Sequence, residues 1–237
     1  MSARQPGAVF SQREPLQTYL ANADYISSST LRRFERGGAR AFDGARLGEA
    51  LHAFLLEPEA FDADYLSLDG TVPVGRSLSE EEAHKREWLT PEQMAGLRWA
   101  RDAVEAYTAA PLAQWLRGGE KELSIYWTDD SGGRWKARPD CFTLQVILEL
   151  KTTIAVRPDA FARTRERLGY DLQAAQYVEA VERLTGSRPR FVFVTLELTP
   201  PRCIWLHELA SREIEQAIRK LDVLRERYRR RAAEGGS

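Results

Sequence analysis

Along the first half of the chain, apolar residues recur at helical spacing. YISSSTLRRFER predicts a helix that starts at a serine cap, Ser28 or Ser29, and ends at Gly37–Gly38. ARLGEALHAFLLEP predicts a second helix, stopped near Pro58. TPEQMAGLRWARDAVEAY carries a full start signal, with Thr90 as cap, Pro91 in the first turn and Gln93 completing a capping box. PLAQWLRGG is a short helix ending at a glycine stop, and residues 62–90, with the run SEEEAHKRE, read as loop or insertion.

Beyond residue 118 the period drops to two. KELSIYWT and RWKARPDCFT flank the turn DDSGG as a hairpin, and QVILELKTT follows as a third strand. RPDAFARTRERLG and YDLQAAQYVEAVERLTG return to helical spacing, the second closed by Gly186. PRFVFVTLEL and RCIWLHEL are two more strands, and SREIEQAIRKLDVLRERYRRR is an amphipathic helix opened by Ser211. This order predicts an α/β fold with a central mixed β-sheet of about five strands flanked by helices. Three strands pair locally, and a helical crossover brings in the next. Residues 1–15 and 232–237 are expected to be loose. Residues 16–231 are expected to form a single domain, with a helical and insertion region at 57–118.

Composition narrows the class. The 237 residues, 43% hydrophobic and 29% charged, describe an ordinary globular protein, and no apolar run approaches the ~18 residues of a membrane span. The N-terminus lacks a signal-peptide pattern and the two cysteines form neither a metal spacing nor a disulfide framework, so cytoplasmic residence is expected. A net charge of −1 gives no global attraction to nucleic acid, although a local basic channel would suffice. Only five of the 34 basic residues are lysine. The basic end of the last helix reads as a solvated face.

One strand does not fit a bland core. VILELK is apolar enough to be buried on both faces, yet it contains Glu149 and Lys151, which alternation places on the same face. If strands 134–142 and 145–152 pair as a hairpin, Asp140 comes close to Glu149. Two carboxylates together repel, and a divalent cation removes that conflict. Hard cations such as Mg²⁺ take carboxylate oxygens, waters and phosphate oxygens. Lys151 beside them could orient or help deprotonate a water, or neutralise a phosphate. For the Glu-x-Lys pattern alone, a structural salt bridge is the better reading. Glu122, near the start of the first strand, is a further acidic candidate.

Three other positions bear on this. Gly48 and His52 lie one helical turn apart on one face, which suggests close approach by another backbone or a substrate, against a packing glycine and a surface histidine. Gln173 and Tyr177 likewise share a helix face, while Gln176 falls on another. His84 and His207 have no such context and read as structural.

Taken in order, GxxxH at 48–52, Glu122, Arg-Pro-Asp at 138–140, Glu-Leu-Lys-Thr-Thr at 149–153 and QxxxY at 173–177 resemble the PD-(D/E)XK nuclease superfamily. Within it the pattern is similar to RecB-type and RecE-like (exodeoxyribonuclease VIII-like) exonucleases. YISSSTLRRF and GEALHAFLLEPEAF also resemble segments of RecE-like domains, and the likeness runs from about residue 25 to 225. The resemblance implies a restriction-endonuclease-like core and a site for Mg²⁺ or Mn²⁺, of two-ion type. By position, His52, Asp140, Glu149 and the main chain of Leu150 would bind metal. Lys151 would be the catalytic lysine, with Asp140, Glu149 and Glu122 also in the catalytic set. Gln173, Tyr177, Arg138 and Thr152 would organise substrate and site.

The implied reaction is hydrolysis of DNA phosphodiesters in linear duplexes, from 5′ ends, in phage-type recombination or repair. Implied partners are duplex DNA ends, a homo-oligomeric ring and a single-strand annealing protein, with no membrane. Many RecE-like domains carry Asp at the Glu149 position. The cysteines that hold an iron–sulfur cluster in some RecB-type relatives are absent, so no cluster is expected. The alternatives are an endonuclease or single-strand-specific nuclease of the same fold, and a non-catalytic DNA-binding module.

Overall fold

The structure, a computed structural model, describes residues 7–36, 45–67 and 86–234. Its centre is a five-stranded mixed sheet. In chain order, the sheet takes strands β4 (Glu120–Lys121), β7 (Cys141–Phe142), β8 (Val146–Thr152), β9 (Arg190–Glu197) and β10 (Cys203–Leu209). Their spatial order is β10-β9-β8-β7-β4, with β8 and β9 parallel and the other pairs antiparallel. The parallel pair needs a crossover. It is supplied by helices α7 (Pro158–Leu168) and α8 (Tyr170–Thr185).

Alternation along β8 sorts the two faces. Val146, Leu148 and Leu150 face one hydrophobic cluster, shared with helices α3 (Ala45–Leu56), α4 (Pro58–Asp64), α5 (Pro91–Ala106) and α6 (Leu112–Gly118). Ile147, with Phe191 and Phe193 of β9, faces the other cluster. There α8 packs with α2 (Ser28–Glu35), α7 and α9 (Ser211–Glu234).

A second, three-stranded sheet carries β5 (Ser124–Thr128) between β1 (Val9–Gln12) and β6 (Arg134–Ala137). Part of the segment 1–15, expected to be loose, is therefore an edge strand. Helix α1 (Leu16–Ala21) follows it. The parallel pair β2 (Tyr65–Ser67) and β3 (Glu87–Leu89) brackets the insertion region; most of SEEEAHKRE, including His84, lies outside the described residues, as does the expected end of α2 at Gly37–Gly38.

Several local expectations are met by named contacts. Thr90 and Gln93 form the reciprocal capping box that opens α5. Others are corrected. The cap of α2 is Ser27, whose hydroxyl accepts from the Thr30 amide at 3.2 Å. Helix α3 stops before Pro58, but Pro58 then opens α4, because proline at a first helical position loses no needed N–H. The expected strand 134–142 is two pieces. Pro139 has no N–H to donate, and the chain leaves one sheet at Ala137 and joins the other at Cys141.

The opposite arm breaks at the same level, where Glu122 takes a left-handed conformation (φ 49°). Register survives the break: Lys121 faces Cys141 below it and Ile125 faces Ala137 above it. Between them the Glu122 amide donates to the Asp140 carbonyl at 3.1 Å. One continuous hairpin thus bends out of the large sheet into the small one.

The basic end of α9 is not wholly solvated either. Arg225 is buried, with its guanidinium over Trp135 and bonded to Glu179 at 2.6 Å. Arg229 reaches Asp129 in the hairpin turn at 2.7 Å.

Candidate active site

Where the hairpin bends away, the second half of β8 loses its neighbour on that side. Leu150 would leave an unpaired main-chain N–H and C=O there, which is costly when buried. Two side chains take the place of the missing strand. Asp140 Oδ2 accepts from the Leu150 amide at 2.6 Å, and His52 Nε2 lies 3.3 Å from the Leu150 carbonyl.

His52 reaches this notch because α3 crosses β8 closely. A Cβ on Gly48 would lie 3.3 Å from Thr152 Oγ1, so glycine sets the approach and His52, one turn on, enters the site. His52 is turned toward Glu122 and Asp140, with its side chain 28% exposed. Thr152 faces α3, on the sheet face opposite Lys151.

Asp140 Oδ1 lies 3.3 Å from His52 Nδ1, and Glu122 Oε1 lies 3.7 Å from it. One ligand atom from each of His52, Glu122 and Asp140 falls within 4.8 Å of the others. Burial opposes a charge on His52, but Asp140 and then Glu122 outweigh it and hold its pKa well above the usual range. Every polar neighbour of the ring is an acceptor, which favours the imidazolium. Two nearly buried carboxylates sharing one proton-bearing ring are an arrangement that a divalent cation can replace.

Glu122 is fixed from behind. Arg138 Nε donates to Glu122 Oε2 at 2.7 Å, and its Nη1 donates to the Glu14 carbonyl at 2.7 Å and to Ser124 Oγ at 3.2 Å. Glu57, 3.8 Å from Arg138 Nη2, is a neighbour that the sequence did not single out. Burial and then Glu122 raise its pKa.

Glu149 stands outside the trio, on the other face of the strand. Its Oε1 accepts from Lys151 Nζ at 2.6 Å and from Gln173 Nε2 at 2.6 Å, while Oε2 is buried and has no partner. Gln173 Nε2 also donates to the Tyr177 hydroxyl at 3.1 Å, so Gln173 links Tyr177 to Glu149. Gln176, on another face, is buried and donates to the carbonyls of Ile26 and Lys136. Burial, then the charge of Asp140, pushes Glu149 up to about 7 against the opposing pull of Lys151. Burial acts to discharge Lys151, but Glu149 and Asp140 outweigh it and keep it an ammonium.

Lys151 Nζ also sits 4.8 Å from the centre of the Tyr170 ring. Tyr170 opens α8 just before the Gln173–Tyr177 pair, and no spacing rule marked it in advance.

The donor set is carboxylate oxygens, one imidazole and the Leu150 carbonyl. Carboxylates suit Mg²⁺, and an imidazole among them suits Mn²⁺. The orphaned Glu149 Oε2 is the atom that most needs a further partner, since an unpaired buried carboxylate oxygen is unfavourable. The residues present therefore fit a divalent cation, with His52, Glu122 and Asp140 converging on one position and Glu149 offering an oxygen nearby.

Comparisons with known proteins agree with this architecture. A family model described as a PDDEXK-like domain of unknown function (DUF3799) matches residues 33–234. The chain is also similar to the crystal structure of a protein from Eubacterium rectale that is provisionally named an exonuclease. Identity is 15% and the TM-score 0.63, over 90% of this chain and 84% of that one, a likeness of fold. A search of curated proteins finds no match.

Proposed function

The chain belongs to the family of PDDEXK-like domains DUF3799, and on that footing we propose that it is a metal-dependent nuclease that hydrolyses DNA phosphodiesters from the ends of linear duplexes. The observation that carries this reading is the notch in the sheet. There His52, Glu122 and Asp140 converge beside a buried Glu149–Lys151 pair whose second carboxylate oxygen is unpartnered.

In this reading His52, Asp140, Glu149 through Oε2 and the Leu150 carbonyl hold the metal, and Glu122 supplies a further carboxylate. Divalent cations in such a site polarise the phosphoryl oxygens and make water a stronger nucleophile. Lys151 acts as the ammonium that its neighbours enforce. It donates to a non-bridging phosphate oxygen and offsets the charge that builds up as water adds to phosphorus and the P–O bond to the leaving strand breaks. Gln173 and Tyr177 hold the Glu149 carboxylate so that Lys151 and the free oxygen stay in register. Arg138 holds Glu122, and Thr152 seats α3 so that His52 stays at the notch. The RecE-like motif order supports 5′ to 3′ action in recombination or repair.

The test is digestion of end-labelled linear duplex DNA against a covalently closed circle. Loss of the linear substrate is expected with Mg²⁺ or Mn²⁺, none with EDTA, and none of the circle. A linear duplex left intact under every metal condition would overturn the reading, and a cut circle would overturn the end requirement.

A further inference from the structure

Arg32, on α2, is a cation near the site with few partners among the described residues. Its aliphatic stem lies in a notch made by Gly169, whose backbone is left-handed (φ +66°); a Cβ there would stand 3.0 Å from Arg32 Cδ and 3.2 Å from Cγ. The stem is thereby directed along the α7–α8 junction. The guanidinium lies 5.7 Å from the centre of the Tyr170 ring, the same ring that carries Lys151 at 4.8 Å. Among the described residues its hydrogen bond is Nη1 to the Leu168 carbonyl, at a long 3.4 Å, and no carboxylate pairs with it.

Three other buried or partly buried arginines meet carboxylates, whereas Arg202, like Arg32, bonds a main-chain carbonyl. Arg138 meets Glu122, Arg165 meets Asp171 and Glu213, and Arg225 meets Glu179. A cation at the end of α7 is favourable for the helix, but a single long bond to a carbonyl uses one of five guanidinium donors. Burial disfavours the Arg32 charge, the strongest influence on it, with Glu149 among the groups that sustain it. A partly buried guanidinium without a carboxylate, on the same ring as Lys151, is arranged to receive an anion from outside the chain.

Resting on the nuclease reading, we propose that Arg32 binds an internal phosphate of the DNA strand lying at Lys151, a phosphate next to the one attacked. The Tyr170 ring spaces the two cations, so that neighbouring phosphates of one strand meet Lys151 and Arg32. Such a contact positions the strand and carries no sequence information.

The experiment uses Arg32→Met, which keeps the stem on Gly169, and Arg32→Lys, which keeps the charge. Binding of a fluorescein-labelled linear duplex is measured against salt in Ca²⁺, together with kcat and KM in Mg²⁺. Arg32→Met is expected to weaken binding roughly ten-fold, lower the log–log salt slope by about one, raise KM and leave kcat within about two-fold. Arg32→Lys should recover most of the slope. The loss should be equal on 5′-phosphorylated and 5′-hydroxyl ends and on unrelated sequences.

An unchanged slope in Arg32→Met, with the wild type binding and cutting, overturns the proposal. A loss confined to 5′-phosphorylated ends overturns the assignment to an internal phosphate. If Arg32→Met loses its fold, Arg32→Gln decides: a salt slope lowered by about one at an unchanged melting temperature supports the contact, and an unchanged slope overturns it. A wild type that neither binds nor cuts removes the nuclease reading itself, and this proposal with it.

Discussion

Gly48 rests against Thr152, so that a Cβ added to the glycine would lie 3.3 Å from the threonine Oγ1. This contact sets how closely α3 crosses β8, and His52 depends on it. Gly48→Ala needs only a small shift of a side-chain oxygen, and alanine favours the helix by ~1 kcal/mol. Its thermal unfolding is expected to stay close to wild type. Gly48→Leu should push α3 away, and its melting temperature should no longer rise on adding Mn²⁺, as measured by differential scanning fluorimetry.

Asp140 has two separable duties: it accepts the Leu150 amide and it faces His52. Asp140→Asn keeps an acceptor for the amide, whereas Asp140→Ala leaves a buried N–H unpaired. Both should lose nuclease activity. In urea unfolding with EDTA, Asp140→Ala should be less stable than Asp140→Asn by ~1–3 kcal/mol. Equal stability would mean that the amide bond is not what Asp140 supplies to the fold.

Lys151 is expected to matter for turnover and not for metal. Lys151→Met should reduce kcat on linear duplex DNA by at least ~10²-fold. The Mn²⁺-induced rise in melting temperature should persist, because His52, Glu122 and Asp140 remain. If that rise disappears together with activity, Lys151 holds the cluster together and does not act on substrate.

Asp129 makes stability depend on acid. Burial opposes its charge, but bonds from Trp135, Ser131 and Gly133, with Arg229 nearby, outweigh it and lower its pKa below the usual 3.8. A carboxylate lowered in the folded state contributes its stabilisation fully above its unfolded pKa and loses it as pH falls through the folded one. Wild-type stability should therefore fall more steeply below about pH 4 than that of Asp129→Asn, whose side chain does not titrate. Denaturant unfolding from pH 6 downward reads the difference. Parallel curves would show that Asp129 is not a source of the acid sensitivity.

Much of this arrangement was legible because it follows local rules. Thr90 and Gln93 announce α5 by capping chemistry, and two-residue alternation by itself puts Glu149 beside Lys151. What escaped depends on contacts between distant segments. The proline at 139 hinted at a break, but the matching break at Glu122 requires a left-handed residue that no glycine signals. Arg225 looks like any basic residue on a helix surface until Trp135 and Glu179 arrive from other elements. Arg32 and Tyr170 lie 138 positions apart, and only the fold puts the guanidinium on the ring. Asp140 was expected beside Glu149, but its direct partners are the Leu150 amide and His52, because the hairpin leaves the sheet one residue too early for the two carboxylates to face each other across a ladder.

The unbroken register through that bend has a consequence for how the protein can change. Glu122 and Asp140 are opposite partners in one hairpin, joined by the Glu122 amide and the Asp140 carbonyl. Arg138, bonded to Glu122, to Ser124 of β5 and to the Glu14 carbonyl, also ties the Glu122 carboxylate to the small sheet. A change around β1 or β5 that shifts Glu14 or Ser124 is therefore passed to the Glu122 carboxylate through one guanidinium, so the periphery is coupled to the centre.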